Sequence, residues 1–288
     1  MTDLHIDSLT LFALSMGLLG LIVGSFLNVV IHRLPKMMEQ DWRAQCTELL
    51  GQKCGAPEAE RYTLAYPHSH CPHCGHSLSW RENIPVVSYL LQGGRCIACH
   101  APIALRYPVV ELISGLLAAV VGWQYGLGWP MVGALLLTWA LIVLSWIDIE
   151  HQLLPDAITV PFLWLGLSAN LYGLYTDLES SVLGAMAGYL LLWGVYQIFK
   201  IVTGKEGMGY GDFKLLAMLG AWLGWQSLPI IIILSSLVGA SIGIGLTVFK
   251  SRDKDQPIPF GPYLACAGWI ALLWGDAITD LYLQTLSQ

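Results

Sequence analysis

Met131-Val-Gly-Ala-Leu-Leu-Leu-Thr-Trp-Ala-Leu-Ile-Val-Leu-Ser-Trp-Ile147 is an apolar run closed by an aspartate, Asp148, and followed by a polar link that ends in Pro155-Asp156. Its length is near what a helix needs to cross a bilayer. Seven further apolar segments accompany it, at residues 9–31, 109–125, 157–175, 182–202, 213–228, 230–249 and 262–274. With 55% hydrophobic residues, only 12% charged and a mean hydropathy of +0.60, the composition predicts an all-α polytopic membrane protein of about eight transmembrane helices. The first segment is preceded by Asp3 and Asp7 and by no Lys or Arg, so it reads as an uncleaved span and not as a signal peptide.

All 14 Lys and Arg fall in three places: eight between residues 33 and 106, three at Lys200, Lys205 and Lys214, and three at Lys250, Arg252 and Lys254. Eight spans with an outside N-terminus put all three places on the cytoplasmic side and both termini on the other. Asp148 and Asp212 then share the cytoplasmic face. The expected organisation is a first transmembrane helix over residues 1–31, a cytoplasmic metal-binding loop over 32–108 and a seven-helix membrane core over 109–288.

The polar region holds six of the seven cysteines, four of them as Cys71-Pro-His-Cys74 and Cys96-Ile-Ala-Cys99. Each CxxC pair presents two thiolates from a tight turn, with Gly75 and Gly93-Gly94 supplying backbone freedom, and four thiolates complete a closed tetrahedral zinc site. Disulfides are the competing reading, but a cytoplasmic loop is a reducing setting. A four-cysteine shell leaves no open position, which predicts a structural Zn2+. His68, His70, His73, His76 and His100 crowd the same region and read as surface residues that can also serve as ligands; Cys46, Cys54 and Cys266 have no partner spacing. Eight basic and six acidic residues with no basic stripe exclude nucleic acid as a partner of this loop.

Small residues recur four apart at Gly20/Gly24, with Asn28 on the same face, and again at Gly184/Gly188 and Ser235/Gly239/Gly243, a spacing that lets helices pack closely in lipid. Gly207-Met-Gly-Tyr-Gly-Asp212-Phe-Lys214 is different, because its alternating glycines run into a carboxylate at the mouth of an apolar segment. Ionisable residues at the edge of hydrocarbon are costly and point to function. Asp148 closes its helix at the negative end of the macrodipole and Asp212 precedes its helix at the positive end. Opposed fields suit a pair that holds one proton between them, as in aspartic proteases. The bland readings are an exposed link residue for Asp148 and an N-cap for Asp212. Because residues 213–224 are too few to cross a bilayer, the sixth span is expected to recruit residues 208–212 or to run on through residue 228.

Gly209-Tyr210-Gly211-Asp212 resembles the GxGD signature of intramembrane aspartyl proteases, and the chain as a whole resembles type IV prepilin leader peptidases of the bifunctional bacterial kind. The resemblance runs through Gly24-Ser25-Phe26-Leu27-Asn28-Val29 with Arg33 and Pro35, the two CxxC pairs, Glu82-Asn83-Ile84-Pro85 with Ser88-Tyr89, Asp148 through Asp156, residues 204–214 and Pro259-Phe260-Gly261-Pro262. It implies a bacterial inner-membrane protease, with Asp148 and Asp212 catalytic, that removes a basic leader from prepilins and type II secretion pseudopilins. It also implies N-methylation of the new N-terminus by S-adenosylmethionine, for which the residues themselves show no binding motif. Under this reading Glu150, Asp156 and Glu206 are candidates to attract the leader, and Lys205 and Lys214 to hold the charge of the pair or to bind lipid head groups. An ion- or proton-coupled transporter using the same two aspartates is the alternative from another class, and a pilus-assembly scaffold a third reading; oligomeric state is left open.

Overall fold

The computed structural model describes residues 2–51, 62–205, 207–250 and 259–286. The regular structure among these residues is all helical, with no strand and only two isolated bridges. The chain divides into two compact units, Met1–Gly126 and Leu127–Gln288.

The first unit is built on α1 (Thr2–Leu49) and α3 (Arg106–Tyr125), with a 3-10 turn (Trp80–Asn83) and the short α2 (Val87–Leu91) between them. α1 runs well past the expected end of the first span, through Pro35 and into the polar region, where Arg43 and Glu39 pair at i,i+4. Its partner is α3, and small residues set the approach. A Cβ on Gly20 would lie 2.5 Å from the Ser114 carbonyl oxygen and one on Gly24 would lie 2.8 Å from Glu111 Cα. Ser114 Oγ donates to the Gly20 carbonyl at 2.6 Å, and Asn28 Nδ2 donates across the same seam to the Tyr107 carbonyl at 3.0 Å. The expected packing face of Gly20, Gly24 and Asn28 is therefore present.

The second unit comprises α4 (Trp129–His151), α5 (Asp156–Asn170), α6 (Leu178–Thr203), α7 (Tyr210–Leu223), a 3-10 turn (Trp225–Ser227), α8 (Leu228–Lys250) and α9 (Gly261–Leu286). At its centre is α7, with Phe213, Leu215, Leu216, Met218, Leu219 and Trp222 fully buried. α6 packs on it through Gly184 and Gly188, which rest on the backbone of Gly220 and Leu216. Trp222 donates its indole N–H to the Phe162 carbonyl at 2.8 Å and fills the space that Gly166 leaves on α5. Asn170, at the end of α5, donates to the carbonyls of Ala221 and Trp222 at 2.9 and 3.0 Å and accepts from the N–H groups of Tyr175 and Thr176.

Among the described residues, five helices are long and apolar enough to cross a membrane: Ser8–Leu49, Arg106–Tyr125, Trp129–His151, Leu178–Thr203 and Trp225–Gly245. The eight expected segments are helical over most of their length, and length and composition alone mark five of these helices as crossings. α5 and α7, at 15 and 14 residues, reach only about 21–23 Å against a core of about 30 Å. α7 takes in only the last three of the five glycine-rich residues expected of it and then stops at Gly224, whose positive φ of 80° breaks the helix.

Candidate active site and metal centre

The two CxxC turns are built alike. Cys71 N–H donates to the His76 carbonyl and Gly75 N–H to the Cys71 carbonyl, while Cys96 N–H donates to the Ala101 carbonyl and His100 N–H to the Cys96 carbonyl, all at 2.9 Å. The left-handed residue that closes each turn is Gly75 (φ 71°) in the first and His100 (φ 58°) in the second. Gly93 and Gly94 also have positive φ, but they precede the second turn, and Gly94 lies against the Tyr89 hydroxyl.

The turns bring the four sulfurs within 4.8 Å of one another. Cys71 Sγ and Cys99 Sγ are 3.8 Å apart, and Cys74 Sγ and Cys96 Sγ 4.0 Å. Four sulfurs about 2.3 Å from a common centre stand about 3.8 Å apart, so the set has the size of a tetrahedral thiolate shell. Its electrostatics agree. The backbone N–H groups of His73 and Cys74 lower the Cys71 thiol to about 7. At Cys74 the N–H of His76 pulls the same way, but desolvation and the three neighbouring thiols override it and push the group up to about 12. Four sulfurs this close ionise together only around a cation, and the cluster can hold a metal ion.

No histidine joins that cluster. His76 Nε2 instead lies 3.0 Å from Glu82 Oε1, and Glu82 Oε2 accepts the Ser79 N–H at 2.7 Å, which caps the 3-10 turn that follows. The Ser79 hydroxyl and N–H, with His76, hold the Glu82 carboxyl down at about 2. Arg33, 7% exposed, turns inward and donates to the carbonyls of Thr63, Leu64 and Pro67, pinning the segment that leads into the first cysteine turn.

In the second unit Asp148 occupies the last turn of α4 and Asp212 the first turn of α7. Neither bland reading of these aspartates holds. Asp148 is 6% exposed and so is no exposed link residue. The N-cap of α7 is Gly209, without a side-chain cap bond, and Asp212, 7% exposed, lies inside the helix with its Oδ1 unpartnered. Asp148 is within Coulombic reach of Asp212. Leu154, shortly after α4, meets both the Asp212 segment and the start of α9: a Cβ on Gly211 would lie 2.8 Å from Leu154 Cβ, and one on Gly261 would lie 3.2 Å from Leu154 Cδ2.

A third segment completes the pair. Gly261, at the start of α9, donates its N–H to Asp148 Oδ2 at 3.0 Å, and a Cβ there would lie 2.7 Å from the same oxygen. This donor is 113 residues from Asp148, and the glycine after Pro259-Phe260 is its one trace in the sequence.

The glycines before Asp212 separate by role. Gly207 faces the Phe199 ring and Gly211 faces Leu154, each with no room for a Cβ. At Gly209 the nearest atom to a Cβ would be Asp212 Oδ2 at 3.8 Å, so Gly209 leaves open space beside that carboxylate. Lys214 binds both oxygens of Asp156 at 2.7 Å on the surface, so these two side chains are engaged with each other. Glu206 lies outside the described residues, as do Cys54, Arg252 and Lys254.

Comparison with known proteins agrees with this division of the chain. Residues 18–125 match the bacterial peptidase A24 N-terminal domain and residues 135–244 the type IV leader peptidase family. A prepilin leader peptidase/N-methyltransferase of Pseudomonas aeruginosa is 58% identical over 273 residues, covering 95% of this chain and 94% of its own. Proteins of the same name from Aeromonas salmonicida and Burkholderia pseudomallei are 57% and 47% identical over 93% and 92% of this chain and 93% and 85% of theirs. No solved structure matches the chain. The transporter reading finds no support among these relatives, and the chain belongs to the type IV leader peptidase family.

Proposed function

We propose that this chain is a membrane-embedded aspartyl endopeptidase that removes leaders from type IV prepilins and type II secretion pseudopilins, with Asp148 and Asp212 as its catalytic pair. The observation that carries the proposal is the pair itself: two buried carboxylates from α4 and α7 within reach of each other's charge, one with an unpartnered oxygen. Two like charges so placed share a proton. The ionised carboxylate takes a proton from a water between them as that water attacks the scissile carbonyl, and the protonated one donates to the carbonyl oxygen. Collapse of the tetrahedral intermediate returns a proton to the leaving amine. The Gly261 N–H fixes Asp148 Oδ2 through these steps, and the open side of Gly209 lets an extended substrate backbone approach Asp212.

The relatives' name also supports N-methylation of the new N-terminus. S-adenosylmethionine would supply the methyl group. The described residues contain no strand, and hence no strand, glycine turn and helix of the kind that cradles a nucleotide, so the donor is given no site. In the same reading the four cysteines hold a structural zinc that folds the polar region of the first unit. The protein sits in the bacterial inner membrane among lipid, with the Lys- and Arg-bearing segments and the aspartates towards the cytoplasm and both termini periplasmic.

The test is a reconstituted reaction with a synthetic precursor carrying a basic leader ahead of an apolar helix, read by mass spectrometry with and without S-adenosylmethionine. Leader loss, with one methyl added only when the donor is present, is the expected result. An intact precursor after incubation with folded protein, across several precursor sequences, would overturn the proposal.

A further inference from the structure

Beside the aspartate pair the second unit contains a groove of about 440 Å³. Val195 of α6, Ile232, Ser236 and Ala240 of α8, and Met208 and Phe260 are among the residues that line it. None of the described residues that line it is charged, and most are apolar. The small-residue stripe of α8 is therefore only partly a packing face: Gly239 meets the Tyr263 ring, but Ser235 and Gly239 also border this space.

Its position is set by chain connectivity. Met208 directly precedes Gly209, the glycine beside Asp212, and Phe260 directly precedes Gly261, the donor to Asp148. Adjacent Cα atoms are about 3.8 Å apart, so the groove begins about one residue from where both carboxylates meet a substrate carbonyl. From there it follows α8 from Ala240 back to Ile232, about 12 Å or two helical turns. Its volume falls within the range of sites that take a sizeable ligand.

We infer that this groove is the enzyme's apolar subsite, which seats the first two turns of the substrate's apolar segment beside the scissile bond. This rests on the peptidase reading above and adds where the substrate lies. The uncharged lining formed by the described residues does not suit a basic leader, because an ammonium or guanidinium in uncharged, apolar surroundings loses its hydration without gaining a partner. An uncharged groove two turns long matches one face of an apolar helix carrying large side chains, whose burial supplies binding energy close to the reacting bond.

The experiment uses the full-length Asp212→Asn protein in detergent and a synthetic precursor with a photoreactive phenylalanine derivative placed in turn at each position of the first two apolar turns. Adducts mapped by mass spectrometry are expected on Leu192–Val195 peptides of α6, on residues 232–240 of α8 and at Met208. Adducts confined to other helices would overturn the groove, and because the variant need not turn over, that result is separate from whether the wild type cleaves. As a second reading, Ser236→Trp and Ala240→Trp are expected to lower kcat/KM at least tenfold for a precursor with large residues next to the scissile bond. They should come within threefold of wild type when those residues are alanine. Equal loss on both precursors, or no loss on either, would refute the assignment.

Discussion

Gly261→Ala should damage cleavage without unfolding the protein, and the size of the effect follows from one contact. The new methyl would sit 2.7 Å from Asp148 Oδ2 and 3.2 Å from its Cγ, against an ordinary contact limit of about 3.4 Å. Either the carboxylate or the start of α9 must retreat by about 0.7 Å, which lengthens the 3.0 Å bond from the Gly261 N–H. A bond to a charged acceptor is worth about 1.5–3 kcal/mol, or about 10- to 150-fold in rate if it is lost at the transition state. A misplacement of about 1 Å at a catalytic group costs on the order of 100-fold. The two estimates agree, and kcat for leader removal should fall about 20- to 100-fold. Gly275→Ala, in the same helix but with no atom nearer than 4.0 Å to the new methyl, is the control and should cleave normally. Initial rates by mass spectrometry, with thermal unfolding in detergent alongside, make the comparison. Cleavage by Gly261→Ala within threefold of wild type would refute the claim that this contact positions Asp148.

The remaining predictions address the rest of the molecule. Cys71→Ser with Cys99→Ser should release the metal and loosen the polar region of the first unit, measured as zinc content per protein and protease sensitivity; unchanged zinc content would exclude the four-thiolate site. Glu82 is held at about 2 against an ordinary 4.5, so its stabilisation of the cap is complete above about pH 4.5 and fades as pH falls towards 2. Proteolysis between Ser79 and Leu91 should accelerate over that window in wild type, and in Glu82→Gln it should already be fast at pH 7. Asn170→Leu would remove the amide's hydrogen bonds to the Thr176 N–H and the Trp222 carbonyl, among others, while the Ala221 carbonyl keeps the Ser181 hydroxyl; at about 1–3 kcal/mol for each group left unsatisfied, unfolding free energy in detergent should drop by about 2 kcal/mol or more. A drop under about 1 kcal/mol would show that those groups find other partners.

What could be read in advance from the sequence depended on whether the signal was local. Apolar length placed the helices, and the paired CxxC spacing placed the metal cluster, because each is written within a few dozen residues. The continuation of α1 to Leu49 was hidden, since a polar helix beyond a span has the composition of a loop and only pairs such as Glu39 with Arg43 support it. The end of α7 at Leu223 was hidden too. Its length is set by packing inside protein, so the bilayer rule that governs the other segments does not bind it. Asp148 and Asp212 stood out as carboxylates at the ends of apolar runs. Their supports did not: Leu154 and Gly261 reach the pair only through the tertiary fold, and Gly209 differs from Gly207 and Gly211 only in what faces it.

The central claim is that Asp148 and Asp212 act as one catalytic unit, and the most direct measurement is leader removal by Asp148→Asn and by Asp212→Asn, each purified in folded form with its zinc content intact. Asparagine keeps the size of the side chain and removes the proton exchange, so each variant alone should lose cleavage by at least about 1,000-fold, and the double variant should be little worse than either. Cleavage near the wild-type rate by either single variant would contradict the account.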